Sequence, residues 1–450
     1  MKVAFYTLGC KVNQYETQGI REEFIEAGFE EVDDHEFADA YVVNTCTVTN
    51  LADRKSRQAI RRMKRLNPES VIAVTGCYAQ INPEEVSNIQ GVQLVVGTNE
   101  KGQILKQVLR KLKESSRETV FKRLPYDDLT EYEDIGSIVS MESRTRAYVK
   151  VQEGCNRFCS YCIIPYARGP IRSRSPLSIR NEVEALVDKG FGEIIITGIN
   201  TALYGKESDF HTKYSEDLLL TEIKGSEGGI LPLIKMLGDI PGTFRIRLSS
   251  LEPNVVNSMY VEELIGCKGL CHHLHLSLQS ASDITLKAMN RRYSKTDYLD
   301  ILKVLRKTDL NYGITTDIIV GFPGETEEDF QETLSFVENE DFCKIHIFPY
   351  SKRQGTSAAD LKNNLDPIII KLRAKKLQEA AAESQKRFVA KNLGTYRDVL
   401  IEEYDSKSKT YVGYSDNYIR VFIASEKDLS NQTVKPLLTK AFKNGALGRL

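Results

Sequence analysis

The chain has 450 residues, 41% of them hydrophobic and 27% charged, which allows roughly two to four domains and is typical of an ordinary soluble protein. The formal net charge of −1 excludes nucleic-acid binding through overall charge, so any such binding would depend on local basic patches. No apolar run approaches a membrane span and the start has no signal-peptide pattern, so we expect a cytoplasmic, reducing location, where nine cysteines favour metal or catalytic sites over disulfides.

Residues 1–112 alternate short apolar runs with helical stretches. The runs read as buried parallel strands, "KVAFYTLGC", "AYVVNTC", "VIAVTGC" and "VQLVVGT". Between them, "ETQGIREEFIEAG" and "ADRKSRQAIRRMKRL" are predicted helices. This alternation predicts a doubly wound α/β domain. The polar, partly acidic residues 113–143 predict a linker with room for one short strand.

Residues 144–374 repeat a strand and then a helix. The predicted strands are "AYVKVQE", "EIIITG", "FRIRLSS", "HLHLSLQS", "ITTDIIVG" and "KIHIFPYS". Six units are too few for an eight-stranded barrel, so we predict an open, partial (β/α)6 barrel. Residues 200–229 interrupt the rhythm and are predicted to be a surface insertion.

Residues 375–450 are predicted to form a connecting helix and a small β-barrel. The helix begins upstream, with Asp366 as its N-cap and Pro367 in the first turn, and ends at Gly394. The strands expected after it are "TYRDVLIEE", "KTYVGYS", "NYIRVFIAS" and "QTVKPLL".

Cys155, Cys159 and Cys162 can reach one metal centre from a single loop. A structural zinc site normally has a fourth protein ligand, and a four-iron cluster normally has four cysteines. Three cysteines on a cluster would leave one iron free to bind a small molecule. A zinc loop and three buried thiols are the alternatives.

A second set of cysteines is spread along the first block. Cys10, Cys46 and Cys77 each follow a predicted parallel strand, and ligands gather at the carboxyl ends of such strands. We therefore predict a shared metal site, the alternative being three buried small side chains. Cys267 and Cys271 could bind zinc with His272 or His273, but these residues and Cys343 are predicted to pack in the core.

The C-x3-C-x2-C motif after the first barrel strand resembles the signature of radical S-adenosylmethionine (SAM) enzymes. The resemblance implies a [4Fe-4S] cluster on Cys155, Cys159 and Cys162, whose open iron binds SAM and whose electron splits it into methionine and a 5′-deoxyadenosyl radical. It also implies SAM contacts from residues near the strand ends: Tyr161, Thr197, Gly198, Asn200, Ser249, Gln279, Gly321 and Pro323. For the Gly and Pro residues, ordinary turn chemistry is the alternative.

"TLGCKVNQYET", "NTCTVTN" and "TGCYAQ" are similar to the amino-terminal domain of the methylthiotransferases. This family implies a second [4Fe-4S] cluster, on Cys10, Cys46 and Cys77, that carries the sulfur or methylthio group. Lys-Val-Asn after the first cysteine resembles the branch that acts on N6-threonylcarbamoyladenosine in tRNA. The alternatives are the branches that modify isopentenyladenosine in tRNA or a ribosomal-protein aspartate.

A tRNA substrate requires basic contacts, and helix 53–66 offers them. Arg57, Arg61, Arg62 and Arg65 surround its apolar stripe, although a solvated face is the usual meaning of such charges. The terminal barrel resembles the RNA-binding TRAM domain, where Tyr411, Tyr414, Tyr418 and Arg420 could stack on bases or bind phosphate. The family also implies an electron donor such as a flavodoxin or ferredoxin. A non-catalytic RNA-binding protein with structural zinc remains the alternative from another class.

Overall fold

The computed structural model describes residues 1–114, 118–136, 138, 145–221, 229–362 and 365–450. They form three units in chain order: a parallel sheet with helices, a partial barrel, and a small, mainly antiparallel sheet that follows a long helix.

The first unit is built on a six-stranded parallel sheet in the order β2-β1-β3-β4-β5-β6. Its strands are β1 Lys2–Thr7, β2 Glu30–Glu31, β3 Ala40–Thr45, β4 Val71–Gly76, β5 Val92–Val96 and β6 Val120–Lys122. Its helices are α1 Lys11–Glu26, α2 Asn50–Leu66, α3 Cys77–Ile81, α4 Pro83–Ser87 and α5 Ile104–Lys113. The predicted doubly wound domain is confirmed.

The central strands of this sheet are apolar along their whole length because both faces are covered. Every residue of β3 and β4 is buried, and alternate residues such as Tyr41 and Val42 enter separate cores on opposite faces. Strand β6 comes from the predicted linker and pairs with β5. The first sheet therefore extends beyond residue 112.

The second unit has six parallel strands and one short antiparallel strand, β8. The strands are β7 Arg146–Glu153, β8 Arg172–Ser173, β9 Glu193–Gly198, β10 Arg245–Leu248, β11 His273–His275, β12 Gly313–Val320 and β13 Lys344–Pro349. The helices are α6 Ile164–Arg168, α7 Pro176–Asp188, α8 Phe210–Lys213, α9 Ser215–Leu220, α10 Ile230–Gly238, α11 Ser258–Ile265, α12 Asp283–Ala288, α13 Lys295–Thr308 and α14 Glu327–Asn339.

Two parallel bridges, Ile246 with Leu270 and Leu251 with Leu276, connect the sheet that contains β10 to the sheet that contains β11. The six parallel strands therefore follow one another around an open barrel. All six predicted strands are present. The predicted surface insertion at 200–229 is wrong in its first half, because Tyr204 and Phe210 are buried in the barrel core. Residues 222–228 of that segment lie outside the described residues.

The third unit begins with helix α15 Pro367–Asn392, whose first turn is capped by the Asp366 carboxylate, 2.7 Å from the Ile368 amide. The strands that follow are β14 Val399–Asp405, β15 Thr410–Ser415, β16 Arg420–Ile423, β17 Thr433–Val434, β18 Leu437–Phe442 and β19 Gly445–Arg449. Their order is β17-β14-β15-β16-β19-β18. The β18–β19 hairpin was not predicted from sequence, although Leu437 and Leu438 at the start of β18 end the last predicted strand. Among the described residues, no helix is both long and apolar enough to cross a membrane.

Candidate active site

Cys10, Cys46 and Cys77, hereafter the amino-terminal trio, lie together at the carboxyl edge of the first sheet. Cys10 is the N-cap of α1, Cys46 follows β3 and Cys77 begins α3. A Cβ placed on Gly9 would lie 2.9 Å from the Cβ of Cys46. Burial raises the pKa values of the Cys10 and Cys46 thiols, and the nearby Cys77 thiol raises both further. The structure thus brings together the three strand-end cysteines, and their role as ligands stays a prediction.

Cys155, Cys159 and Cys162, hereafter the barrel trio, occupy the loop between β7 and α6. The Cys162 amide donates to the Cys159 carbonyl at 2.9 Å, which turns this loop back on itself. Burial, together with the Cys159 thiol, raises the pKa of Cys155 to about 11. The guanidinium of Arg291 donates to the Cys159 sulfur at 3.2 Å. One cationic donor therefore already points at this trio.

The backbone before one cysteine of each trio has room only for glycine. Gly76 has φ +94°, and a Cβ there would lie 2.3 Å from the Thr45 carbonyl oxygen. Gly154 has φ +69°, and its Cβ would lie 1.7 Å from the Pro170 carbonyl oxygen. Any residue with a Cβ would clash with the backbone at these distances, so only glycine fits. These two glycines therefore set the direction in which the adjoining cysteines leave their strands.

A buried charge group reaches the amino-terminal trio through Arg168. In this group, four cations form ion pairs with two carboxylates: Lys101, Lys150, Arg168 and Arg172 with Glu16 and Glu153. Arg168 is the centre of this group, and its Nε donates to the Cys77 sulfur at 3.3 Å. Burial alone would raise the pKa of Glu153, but Lys150 and the other cations hold that pKa well below its usual range. Of these cations, Arg168 lowers the pKa of the Cys10 thiol against the effect of burial, so it favours an anionic sulfur ligand beside it.

The sulfur atoms of each trio are spaced too widely for a single tetrahedral zinc ion. Zn–S bonds of about 2.3 Å place sulfur ligands about 3.8 Å apart. In the described part of the chain, the only three candidate ligand atoms that all lie within 4.8 Å of one another belong to Asp33, Asp34 and His35 on the surface. A four-iron cluster instead spreads its cysteines over separate iron atoms. The spacing favours iron–sulfur clusters over zinc.

Two adjoining cavities occupy the mouth of the barrel. The larger, of about 440 Å³, reaches Cys10 of the amino-terminal trio. The smaller, of about 310 Å³, is lined by Cys162 of the barrel trio. Asp317 and Phe348 line both cavities. A molecule bound here would therefore lie between the two trios.

Five of the eight predicted SAM contacts line these cavities. Thr197, Gly198 and Ser249 line the larger one, and Tyr161 and Gln279 line the smaller one. The Ser249 hydroxyl is buried and has no hydrogen-bond partner among the described residues. An orphaned buried hydroxyl at this wall fits a bound polar molecule.

The other three predicted SAM contacts lie outside the two linings. The Asn200 side chain donates to Glu252 at 2.9 Å. The Gly321 amide donates to Glu325 at 2.8 Å. Pro323, in the same turn as Gly321, also lines neither cavity. Direct contact between SAM and these three residues stays a prediction.

Several polar residues of the larger cavity were not recognised as cavity residues from sequence. They are Lys11, His273, His275 and His346. Burial holds the pKa of His273 well below its usual range and also lowers that of His346, so both rings are neutral near pH 7. Burial, together with the nearby Arg247, lowers the pKa of Lys11 to about 8. The alternation of His273 and His275 along β11 was the available signal, because side chains two apart share a strand face.

The third unit closes one side of the larger cavity. Arg247 of the barrel is paired with Glu193 at 2.9 Å and donates to the Ser415 carbonyl at 3.0 Å. The Tyr418 ring stacks on His273, with centroids 4.4 Å apart. Tyr418, a candidate for stacking on RNA, is therefore part of the cavity wall.

Within the described residues, some of the predicted RNA-binding arginines are already ion-paired, and others are free to bind phosphate. Arg57 contacts Glu85 at 3.0 Å, Arg62 is paired with Asp34, and Arg420 contacts Glu403 at 2.8 Å. Arg61 and Arg65 are exposed and have no ion-pair partner in the described part of the chain. Of the five predicted RNA-binding arginines, these two are the most available to phosphate.

The remaining cysteines pack as predicted. The Cys343 thiol donates to the Ile314 carbonyl at 3.1 Å, and Cys267 and Cys271 are buried. His272 contacts Asp309 at 2.9 Å at the junction with the third unit. The structure places these side chains in ordinary packing and ion-pair roles.

Two family models match segments within the first two units of the chain. The radical SAM superfamily matches residues 149–337, which contain the barrel trio. The uncharacterized protein family UPF0004 matches residues 2–97, which contain the amino-terminal trio. The chain is 39% identical to the threonylcarbamoyladenosine tRNA methylthiotransferase MtaB of Bacillus subtilis over 98% of this chain and 94% of that protein. The chain belongs to the methylthiotransferase family of radical SAM enzymes.

Relatives within this family carry different substrate names. The chain is 34% identical to the tRNA-2-methylthio-N(6)-dimethylallyladenosine synthase of Clostridium novyi, over 88% of this chain and 84% of that protein. Among solved structures, a radical SAM methyltransferase, TsrM, from Kitasatospora setae covers 80% of this chain and 77% of its own, with a TM-score of 0.56 and 14% identity. That likeness shows the fold alone. The methylthiotransferase family uses SAM and [4Fe-4S] clusters, which agrees with the two cysteine trios.

Proposed function

We propose that the chain attaches a methylthio group to C2 of N6-threonylcarbamoyladenosine, next to the anticodon of tRNA at position 37. The observation that carries the reaction is a pair of cavities that share Asp317 and Phe348 in their walls, one reaching Cys10 and the other Cys162. The substrate is supported by the name of the relative that is 39% identical.

In this proposal, the barrel trio holds the cluster that binds SAM, and the amino-terminal trio holds the cluster that carries sulfur. The bound cofactors supply radical chemistry that can replace an inert C2–H bond by a C–S bond. The protein orients the reactants and excludes water. Ser249 and Tyr161 contribute to the SAM pocket, and Arg168 and Arg291 stabilise negative sulfur through their N–H donors.

The tRNA would bind across the first and third units. Arg61 and Arg65 offer unpaired charge on α2, and the terminal sheet carries exposed aromatic rings such as Tyr404, which packs on Tyr411. The reductant is of the flavodoxin or ferredoxin type, and the location is cytoplasmic.

Two triple variants test the assignment. After anaerobic reconstitution we expect about eight irons per chain, and about four after the barrel trio is replaced by alanine. That variant should no longer cleave SAM. Alanine at the amino-terminal trio should leave SAM cleavage in place but abolish the methylthio product, measured by nucleoside mass spectrometry of tRNA.

Cys267→Ala is the matched control, because this buried thiol lies outside both trios and only weakly contacts the Glu263 carbonyl, at 3.8 Å. It should retain all iron and full activity. Methylthio product from the amino-terminal triple variant, or full iron in the barrel variant, would contradict the proposed roles.

A further inference from the structure

Lys11 is a cation on the cavity wall next to the proposed sulfur-carrying cluster. It follows Cys10 directly and begins α1. Its side chain lines the larger cavity, with its Nζ 6.0 Å from the centre of the Tyr148 ring. A positive charge therefore stands at the edge of the proposed reaction space.

The Lys11 side chain has no hydrogen bond and no ion pair with any residue in the described ranges, unlike the charged side chains of Glu193, Arg247 and Asp317 near it. Glu193 is already held by Arg245 at 2.6 Å and by Arg247 at 2.9 Å. Asp317, the carboxylate on the cavity wall, contacts His275 at 3.2 Å. The acids near the cavity are thus satisfied by other partners, and the ammonium of Lys11 remains open to an anion from outside the chain.

The proposed substrate carries such an anion. The N6 substituent of threonylcarbamoyladenosine ends in a threonine carboxylate, whereas a dimethylallyl group is uncharged. C6, which bears N6, and C2, which accepts sulfur, are both bonded to N1 of the adenine. A group that recognises the N6 substituent must therefore stand close to the sulfur-carrying site, and Lys11 adjoins one of its cysteines.

We infer that Lys11 binds the carboxylate of the N6 substituent and so selects an acidic over an apolar modified adenosine. This inference rests on the proposed function. Hydrogen bonds to charged groups contribute about 1.5–3 kcal/mol, equivalent to roughly 10- to 100-fold in affinity. Without its carboxylate partner, the ammonium would stay desolvated and unpaired when an apolar substituent fills the cavity.

The test compares two RNA substrates that differ only in this carboxylate. One is an anticodon stem-loop carrying threonylcarbamoyladenosine, and the other is the same RNA with the carboxylate converted to its neutral methylamide. For the reconstituted full chain, kcat/KM should be roughly 10- to 100-fold higher for the acid. Lys11→Gln should remove this preference by lowering the rate on the acid, with little change on the amide. Lys11→Arg should retain most of the preference.

Lys344→Gln is the matched control, because Lys344 is an exposed cation at the start of β13 that lines a different cavity. It should affect both RNAs equally. Iron content and uncoupled SAM cleavage check that each variant is folded and loaded.

An equal loss on both RNAs in Lys11→Gln would overturn the inference and indicate that Lys11 binds an RNA phosphate or SAM. An unchanged preference would overturn it as well. The proposed function is tested separately by the wild type: methylthiolation of dimethylallyladenosine RNA alone would refute that function, whatever Lys11 does.

Discussion

Arg168→Met tests the buried charge group that joins the first unit to the barrel. The Arg168 guanidinium is fully buried and donates to Cys77 at 3.3 Å, to Glu153 at 2.7 Å and to Asn13 at 2.7 Å, and it also pairs with Glu16. Methionine has a similar length but no donor. The substitution leaves two buried carboxylates with one cation fewer.

Removing one partner of a buried ion pair costs about 3–5 kcal/mol. The lower end applies here, because Lys150 stays 3.4 Å from both Glu16 and Glu153, and Lys101 stays 3.3 Å from Glu16. For a cooperative unit of 150–250 residues, about 3 kcal/mol lowers Tm by roughly 6–12 °C. We therefore expect a decrease of this size in the apo-protein.

The assay is thermal unfolding of the apo-protein by circular dichroism, repeated at several pH values. Burial opposes ionisation of Glu16, but Arg168 and the lysines lower its pKa below the ordinary value. A lowered pKa in the folded state contributes stability above the unfolded pKa, near 4.3, and this stability is lost as pH falls through the folded pKa. Arg168→Met should reduce that contribution at neutral pH.

Arg168→Lys is the control that keeps a positive charge but removes the planar set of donors. Its stability should fall between those of the wild type and the methionine variant. A methionine variant that melts within 2 °C of the wild type would refute the view that this charge group stabilises the junction, since that shift corresponds to about 1 kcal/mol or less.

Three further outcomes are expected. Gly76→Ala should lower the iron content of the amino-terminal trio, because the new Cβ would lie 2.3 Å from a backbone oxygen. The control Gly190→Ala, which has a similar φ and open space around it, should keep its iron. The measurement is the iron content per chain after reconstitution. The hydrogen bond to Asp309 raises the pKa of His272, so the stability that this pair contributes is present below about pH 6.5 and is lost as pH rises through the folded pKa. The contribution is below about 1 kcal/mol because the pair is part-exposed. In His272→Gln, the dependence of Tm on pH between about 6 and 8 should therefore be flatter than in the wild type. Replacing Arg61 and Arg65 with glutamine should weaken tRNA binding and reduce the salt dependence of log K by roughly 0.7–0.9 for each phosphate that these arginines neutralise in the wild type; an unchanged slope would leave the third unit as the main RNA-binding surface.

The sequence by itself determined the strands of the first two units and pointed to both cysteine trios, because these signals are local. Buried parallel strands are continuous apolar runs, and three of those in the first unit are followed by a Gly or Thr directly before a cysteine, as in "TGC". Once the strands are parallel and adjacent, their carboxyl ends must share an edge. The proximity of Cys10, Cys46 and Cys77 could therefore be predicted from strand order alone, before any side-chain contact was known.

Only the tertiary structure decided which charges are available. The arginines of α2 look alike in sequence, but Arg57 and Arg62 find acidic partners 28 residues away, whereas Arg61 and Arg65 have none among the described residues. Arg168 meets Glu16 across 152 positions, and Lys11 stays unpaired within the described ranges because its acidic neighbour Glu193 is already occupied. Periodicity describes which face of a strand or helix is apolar, but ion pairing depends on contacts between distant segments, and those exist only after the three units have packed.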